Sequence, residues 1–177
     1  ILSDTQFKLF ERLFWNKSKR LQQSGRFGDS VEYILWFVKS KEFKFYINRM
    51  RVPYSEASLK RYKTPMKKRL VRDKVNQEQK IYKNIIPNPN GALPSTLINI
   101  GSESQRISDD HVAVFPLALP TYFIKGATDE NDIVLDPFNG IGTTCLAAKK
   151  LNRKYIGIDV SNNYCEQARQ RILIGDK

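Results

Sequence analysis

The chain has 177 residues, 41% of them apolar, with 10 Phe and 8 Tyr. That is enough for one packed domain, with or without an insertion, and too much for a disordered polypeptide. No apolar run approaches the roughly 18 residues that cross a bilayer, and no charged-then-apolar leader is present. Two cysteines, Cys145 and Cys165, exclude a disulfide scaffold, so a reducing compartment is expected. With the single His111 they lack the spacing of a zinc site. The net charge is +12, and it is concentrated: residues 39–83 hold 15 Lys and Arg against 4 acidic residues, the other 132 only 15 against 14.

In chain order, residues 7–15 are ambiguous: apolar positions 7, 10, 13 and 14 fit a helix, yet the segment also counts among the candidate strands. Residues 31–38 are a near-continuous β-branched and aromatic run, which predicts a strand buried on both faces of a parallel sheet. Residues 39–94 lose this pattern and end in Pro87-Asn-Pro-Asn-Gly91 and Pro94, strong turn signals. They read as an inserted module. A polyanion is its natural partner, because each Lys or Arg that neutralises a phosphate releases condensed counterions. Arg49, Arg51, Lys60, Arg61, Lys63, Lys67, Lys68, Arg69 and Arg72 alternate with Tyr46, Tyr54 and Tyr62, which can stack on bases or pack on sugar. The plainer alternative is a solvated face.

The last third is the most regular. Residues 133–135 predict a short buried strand, and Asp136-Pro-Phe-Asn-Gly-Ile-Gly-Thr-Thr144 a loop. Residues 145–151 follow as a helix with Lys149 and Lys150 in its last turn, then 155–159 as a second strand. Ser161 can N-cap a closing helix from Asn162 to about Ile174. This is one strand–loop–helix–strand unit of a doubly wound α/β fold. Two strands cannot make a sheet alone, so the others must come from earlier in the chain.

Gly140 and Gly142 lie where a strand turns into a helix N-terminus and backbone can approach a ligand; a merely structural turn is the alternative. Asp136 at the strand tip would repel a pyrophosphate but suits a cofactor carrying an ammonium and a sulfonium. Cys145 stands where the nicotinamide fingerprint requires a third glycine. Asp159, 19 residues after Gly140, ends the next strand, where an acid can hydrogen-bond both ribose hydroxyls. No Gly-Lys-Ser/Thr is present, which excludes a P-loop. These features favour S-adenosylmethionine over a nicotinamide dinucleotide.

With Ala147-Ala148, Leu151-Asn-Arg153, Tyr155-Ile-Gly-Ile-Asp159, Tyr164 and Ala168-Arg169, the loop resembles motifs I and II of the DNA amino-methyltransferases. His111-Val-Ala-Val-Phe-Pro116, with Leu119 and Ile124, resembles the segment preceding motif I in members with the β order of motifs. Phe14-Trp-Asn-Lys17, Arg26-Phe27 and the run from Glu32 to Lys39 resemble that group's middle strands. The resemblance covers about residues 7–40 and 95–174. It implies an α/β, Rossmann-like S-adenosylmethionine-dependent methyltransferase fold, partial and permuted, with an inserted basic recognition region. Residues 1–38 would be part of the methyltransferase sheet, 39–94 the target-recognition region and 95–177 the cofactor-binding part.

The resemblance further implies a site-specific DNA methyltransferase of restriction–modification or orphan type, in the cytoplasm of a prokaryotic cell. It would modify an exocyclic amino group in double-stranded DNA, N4 of cytosine or N6 of adenine. The stretch from Pro94 to Ser104 running into His111 leans towards N4-cytosine. On the same resemblance, Asp136 and the backbone around Phe138, Asn139, Gly140 and Gly142 line the methionyl part of the cofactor. Thr143 and Thr144 hydrogen-bond its carboxylate, Asp159 holds the ribose, and Ile158 and Val160 flank the adenine. His111 and Phe115 border the methionine end. DNA contacts fall to Arg49, Arg51, Lys60, Arg61, Lys63, Lys67, Lys68 and Arg69.

The family's catalytic Asp/Ser/Asn-Pro-Pro-aromatic tetrapeptide does not occur in the chain; Val52-Pro-Tyr54 has one proline and lies in the basic insert. No catalytic residue is therefore assigned. The chain opens on Ile1, not Met, and is expected to be truncated or one polypeptide of a split enzyme. A catalytically silent DNA-binding subunit that keeps the cofactor fold is the alternative.

Overall fold

The computed structural model describes residues 6–21, 24–25, 27–63, 70–72, 79–81, 86–101 and 115–175. The elements are β1 (Lys8–Leu21), β2 (Asp29–Val38), α1 (Glu56–Lys63), β3 (Leu70–Arg72), β4 (Gln79–Ile81), β5 (Leu97–Ile98), α2 (Ala118–Ala127), β6 (Ile133–Asp136), α3 (Thr143–Lys150), β7 (Lys154–Gly157) and α4 (Asn162–Ile174), with a 3-10 turn at Ile47–Met50. They fall into two units, Ile1–Met50 with Ser95–Lys177, and Arg51–Pro94. His111, Lys67, Lys68 and Arg69 lie outside the described residues.

In the first unit β1 runs antiparallel to β2 and parallel to β5. Residues 8–15 thus lie in a strand, and the apparent helical spacing has a cause. The register slips between Leu9 and Glu11, leaving Phe10 as the extra residue of a bulge. The slip brings Phe10 edge-on to Trp36 at 5.8 Å, while Leu13 and Trp15 enter the core with Ile98 and Leu119. A strand with one phase error imitates an i, i+3 pattern. Trp15 buries its ring and donates its Nε1–H to the Ile100 carbonyl at 2.7 Å, so no polar cost remains.

The expectation for residues 31–38 needs correction. They pair antiparallel with β1, not within a parallel sheet, and none of the eight is fully buried; Tyr33 is 73% exposed. Aromatic and β-branched residues suit a pleated surface whichever way the neighbour runs, so composition carries no direction.

Residues 39–50 belong to this first unit. Phe43 and Phe45 join the aromatic cluster on Phe10, and Tyr46 N–H donates to the Gly126 carbonyl at 2.7 Å. The Met50 side chain fills the space where a Gly126 β-carbon would stand. Around Asp129 an exposed network forms. Its carboxylate accepts from the Tyr46 hydroxyl and from Arg49 Nη2 at 2.9 Å, with Lys44 at 3.3 Å; Lys44 also reaches Asp132 at 2.5 Å. The Arg49 guanidinium stacks over the Tyr46 ring at 3.8 Å.

The second unit is closed by a bridge between Val52 and Ala92, with backbone bonds of 3.1 and 2.9 Å. Gly91, at φ +101°, is required there, since a β-carbon would sit 2.3 Å from the Val52 carbonyl oxygen. Ser55 Oγ accepts from Ser58 N–H at 3.2 Å and starts α1.

The other sheet of the first unit is the parallel pair β6–β7, with Val134 opposite Tyr155 and Leu135 opposite Ile156. Helix α2 links the two sheets: Leu119 packs with Leu13 and Trp15, while Ile124 packs with Ala147 and Ala148 of α3. Val134 packs against that second cluster. Residues 133–135 were expected to be buried, but Ile133 and Leu135 are exposed. The helices cover one face of the pair and leave the other open. Helix α4 follows its expected bounds, with Ser161 Oγ accepting from Tyr164 N–H.

The Asp129 network has a pH signature. Hydrogen bonds from Tyr46, then from Arg49 and Lys44, hold its pKa down from 3.8 to about 2. A depressed carboxylate stabilises the fold above its unfolded pKa and loses that contribution as pH falls through its folded one. The advantage of the parent over Asp129→Asn should therefore be full near neutrality and shrink between about pH 3.8 and about pH 2. Urea midpoints of the two proteins across that window check it; a constant difference would contradict it.

Candidate functional site

Strand β6 ends at Asp136, whose Oδ1 accepts from the Phe138 N–H two residues on at 3.0 Å, an Asx turn that begins the loop. Two backbone bonds lace this loop to the end of β7: Ile158 N–H to the Asp136 carbonyl and Asn139 N–H to the Ile158 carbonyl, both 2.9 Å. Asp159 completes the tie. Its Oδ2 accepts from Gly140 N–H at 2.8 Å and its Oδ1 from Ser161 N–H at 2.9 Å. One carboxylate thus joins the loop after β6 to the start of α4.

The two glycines of the loop serve different ends. At Gly140, φ +50°, no heavy atom stands within 4 Å of where a β-carbon would be, so the backbone opens onto empty space. Gly142, φ +82°, is the N-cap of α3, and a β-carbon there would meet Ala168 Cβ at 2.9 Å and Cα at 3.3 Å. Gly140 borders room for a ligand; Gly142 permits the contact between α3 and α4. As a glycine, the N-cap Gly142 offers no side chain to cap α3.

Thr143 and Thr144 part company. Thr143 is buried, and its hydroxyl oxygen accepts from Arg171 Nη1 of α4 at 2.9 Å, whereas Thr144 is half-buried. Cys145 is buried in the α3–α4 core with Leu146 and Ile172. Burial, then the charge of Asp136, pushes its thiol up to about 11, so it stays protonated and inert near neutrality. Phe138 and Val160 stand out in solvent, Ile158 is about half exposed, and Phe115 is part-exposed two residues before Leu117, which packs on both α3 clusters.

One contributor escapes a reading of the sequence. Arg171 meets Thr143 from one helical turn beyond Ala168, and i, i+3 spacing on α4 is the signal that could have found it. Asn139 lies so close to Gly157 that a β-carbon on that glycine would sit 2.6 Å from its Cγ. Its side-chain oxygen is buried without a hydrogen-bond partner among the described residues, which costs roughly 1–3 kcal/mol while unsatisfied.

The basic residues also divide. Arg49 is engaged by Asp129 and, through Nη1, by the Thr128 carbonyl at 3.0 Å. Arg51 donates from Nη1 to the Gly91 carbonyl at 2.7 Å. Lys60, Arg61 and Lys63 are instead exposed on α1, a helix with no buried residue. Tyr62 pairs edge-on with Tyr54 at 5.2 Å, with Arg61 5.7 Å from its ring.

A family profile described as DNA methylase matches residues 1–170. The chain is 33% identical over 165 residues to the Type II methyltransferase M.BglII of Bacillus subtilis, covering 93% of this chain and 42% of that protein. It is 33% identical over 162 residues to the Type II methyltransferase M1.MboII of Moraxella bovis, covering 87% and 58%. The chain thus spans about half the length of these relatives. Among solved structures, the M1.HpyAVI–SAM complex superposes with a TM-score of 0.61 at 28% identity, covering 97% of this chain and 65% of that one. The PvuII cytosine-N4-specific DNA methyltransferase superposes at 0.65 and 21% identity, covering 99% and 61%, a likeness of fold.

The loop geometry predicts a contrast between its glycines. Gly142→Ala should lower stability by about 3 kcal/mol, from the left-handed conformation and the displaced Ala168. Gly140→Ala should cost only about 1 kcal/mol, the conformational part alone. Chemical denaturation of both variants checks this, and equal losses would refute the division of roles.

Proposed function

The chain belongs to the DNA methylase family, and we propose that it is the cofactor-binding and DNA-recognition portion of an S-adenosylmethionine-dependent DNA amino-methyltransferase of a restriction–modification system. The observation that carries the reading is the loop around Gly140. It combines two carboxylates at adjacent strand ends, a backbone with space for a ligand, and a helix N-terminus without a capping side chain. These suit, in turn, an ammonium or sulfonium, an adenosyl body and an α-carboxylate. A pyrophosphate would instead face two acidic groups.

S-adenosylmethionine supplies an electrophilic methyl group to such a site. The chain's own part is orientation. Asp136 offers a carboxylate at the β6 tip, and Asp159 fixes the Gly140 amide while standing where ribose hydroxyls can reach it. A carboxylate has about four lone-pair directions, so serving the loop and serving a ligand are compatible. Phe138, Ile158 and Val160, exposed around the same loop, supply apolar surface for the adenine and the methionyl chain. The buried, protonated Cys145 is unfit to attack a base, in keeping with transfer straight to an exocyclic nitrogen.

For DNA, the exposed cations of α1, Lys60, Arg61 and Lys63, with Lys67, Lys68 and Arg69 beyond it, contact the duplex, while Arg49 and Arg51 brace the backbone. The target base leaves the stack to reach the methyl. We read N4 of cytosine over N6 of adenine, on the stretch from Pro94 to Ser104. The lone-pair-directing Pro-Pro motif comes from polypeptide other than these 177 residues, whether joined to them or separate.

Calorimetric titration should show the chain binding S-adenosylmethionine and not NAD, with Asp136→Ala weakening the cofactor at least about tenfold and leaving DNA affinity unchanged. The same 177 residues should transfer no methyl group to duplex DNA. Robust turnover would overturn the assignment of catalysis elsewhere. DNA binding without any cofactor affinity would favour a silent specificity subunit.

A further inference from the structure

Beyond the ends of β6 and β7 that lie opposite the glycine loop, the first unit has a cleft of about 520 Å³. Arg49, Lys125, Asp129, Glu130, Leu151 and Arg153 line it. Lys125 belongs to the last turn of α2, Asp129 and Glu130 precede β6, and Leu151 and Arg153 lead into β7. Strands β6 and β7 have four residues each, about 13 Å of extended chain, so the cleft is a place apart from the Gly140 loop.

Its cations are incompletely neutralised. Arg49 Nη1 and Arg153 Nη2 both donate to the Thr128 carbonyl, at 3.0 and 2.8 Å. Their guanidiniums thus stand within about 6 Å of each other, where like charges repel unless anions surround them. Asp129 answers Arg49 but also serves Lys44 and the Tyr46 hydroxyl. Arg153 is half-buried, and its hydrogen bonds go to neutral oxygens: the Thr128 hydroxyl and carbonyl and the Leu151 carbonyl. Among the described residues neither Arg153 nor Lys125 has a carboxylate partner, although Glu130 lines the same cleft.

We infer that this cleft binds a small phosphate-bearing ligand, held by Lys125 and by the N–H donors that Arg153 and Arg49 have left over. A guanidinium carries five such donors in a planar fork, and the printed bonds of Arg153 use three. Paired planar donors match the oxygens of a phosphate. A phosphate also brings close to two negative charges, enough for both Arg153 and Lys125, where a single carboxylate would leave one of them unanswered. The volume falls within the range of about 300–1,000 Å³ usual for small-molecule sites. S-adenosylmethionine carries no phosphate, so the occupant is a second ligand. The site stands whether or not the Gly140 loop takes the methyl donor; only the choice between a free phosphate and one in a DNA backbone rests on that reading. A duplex whose target base reaches the loop has the β6–β7 pair between it and the cleft, which favours the free molecule.

Calorimetric titration of the 177-residue chain with pyrophosphate tests this, at about 150 mM salt to screen loose attraction to the +12 charge. One site is expected. Lys125→Gln should weaken it at least about tenfold, and Arg153→Lys, which keeps the charge and loses the fork, at least about fivefold. Glu130→Gln should tighten it about threefold, because an acid leaves the cleft. Lys125 and Glu130 are exposed, so both variants should melt with the parent in the absence of pyrophosphate. Asp136→Ala and Arg169→Gln should leave the affinity within about twofold. Absence of binding, or binding indifferent to both Lys125→Gln and Glu130→Gln, would overturn the proposal. A short duplex that displaces pyrophosphate, and that Lys125→Gln weakens equally, would overturn the free ligand and assign the phosphate to DNA. Pyrophosphate binding in a chain that fails to bind S-adenosylmethionine would uphold the cleft and count against the loop.

Discussion

The carboxylate of Asp159 decides the shape of the candidate site. Loops at the ends of parallel strands have no ladder to hold them, and here a single acid takes the Gly140 amide on one oxygen and the Ser161 amide on the other. Backbone bonds at Asn139 and Ile158 add to that tie by joining the turn after β6 to the end of β7. Gly142 then sets how closely the helices behind the loop approach, and Thr143 with Arg171 locks the first turn of α3 to α4. The open space at Gly140 lies beside these ties.

The positive charge that dominates the composition is not one functional object. Its first part, Lys44 and Arg49, is neutralised by Asp129 and Asp132 and holds residues 39–50 onto the end of α2 and the following loop. These are exposed pairs, worth little singly, and their importance lies in acting together with Tyr46 and the Met50 contact at Gly126. Helix α1 buries no residue, and its exposed cations contribute chiefly to the field. A count of charges along the sequence merges the two.

What could be read beforehand follows from how local each feature is. The Asx turn at Asp136 and α4 with its Ser161 cap depend on residues within a few positions of one another, and they stand where the sequence places them. Strand direction and coverage do not. The run 31–38 looks the same beside an antiparallel neighbour as beside a parallel one, and 133–135 looks buried whether one or both faces are covered. The Phe10 bulge shifts the alternation of β1 and mimics a helix, a fault visible only once its partner strand is known. The link between Arg171 and Thr143 joins positions 28 apart, and its one local trace is the i, i+3 spacing from Ala168 on α4.

The candidate loop is fully shaped in a chain without the Pro-Pro tetrapeptide. The pieces that shape the loop, from Asp136 through Gly142 to Asp159 and α4, form a closed set: strand, turn, helix, strand, helix, with α2 beneath. The bonds that tie the loop run within the set, from Asp136 and Asn139 to Ile158 and from Gly140 to Asp159. On the covered side of β6–β7 Val134 packs with Ile124, Ala147 and Ala148, while Ile133, Leu135 and Ile156 stand exposed on the other, so the packing that shapes the loop lies on one face of the pair.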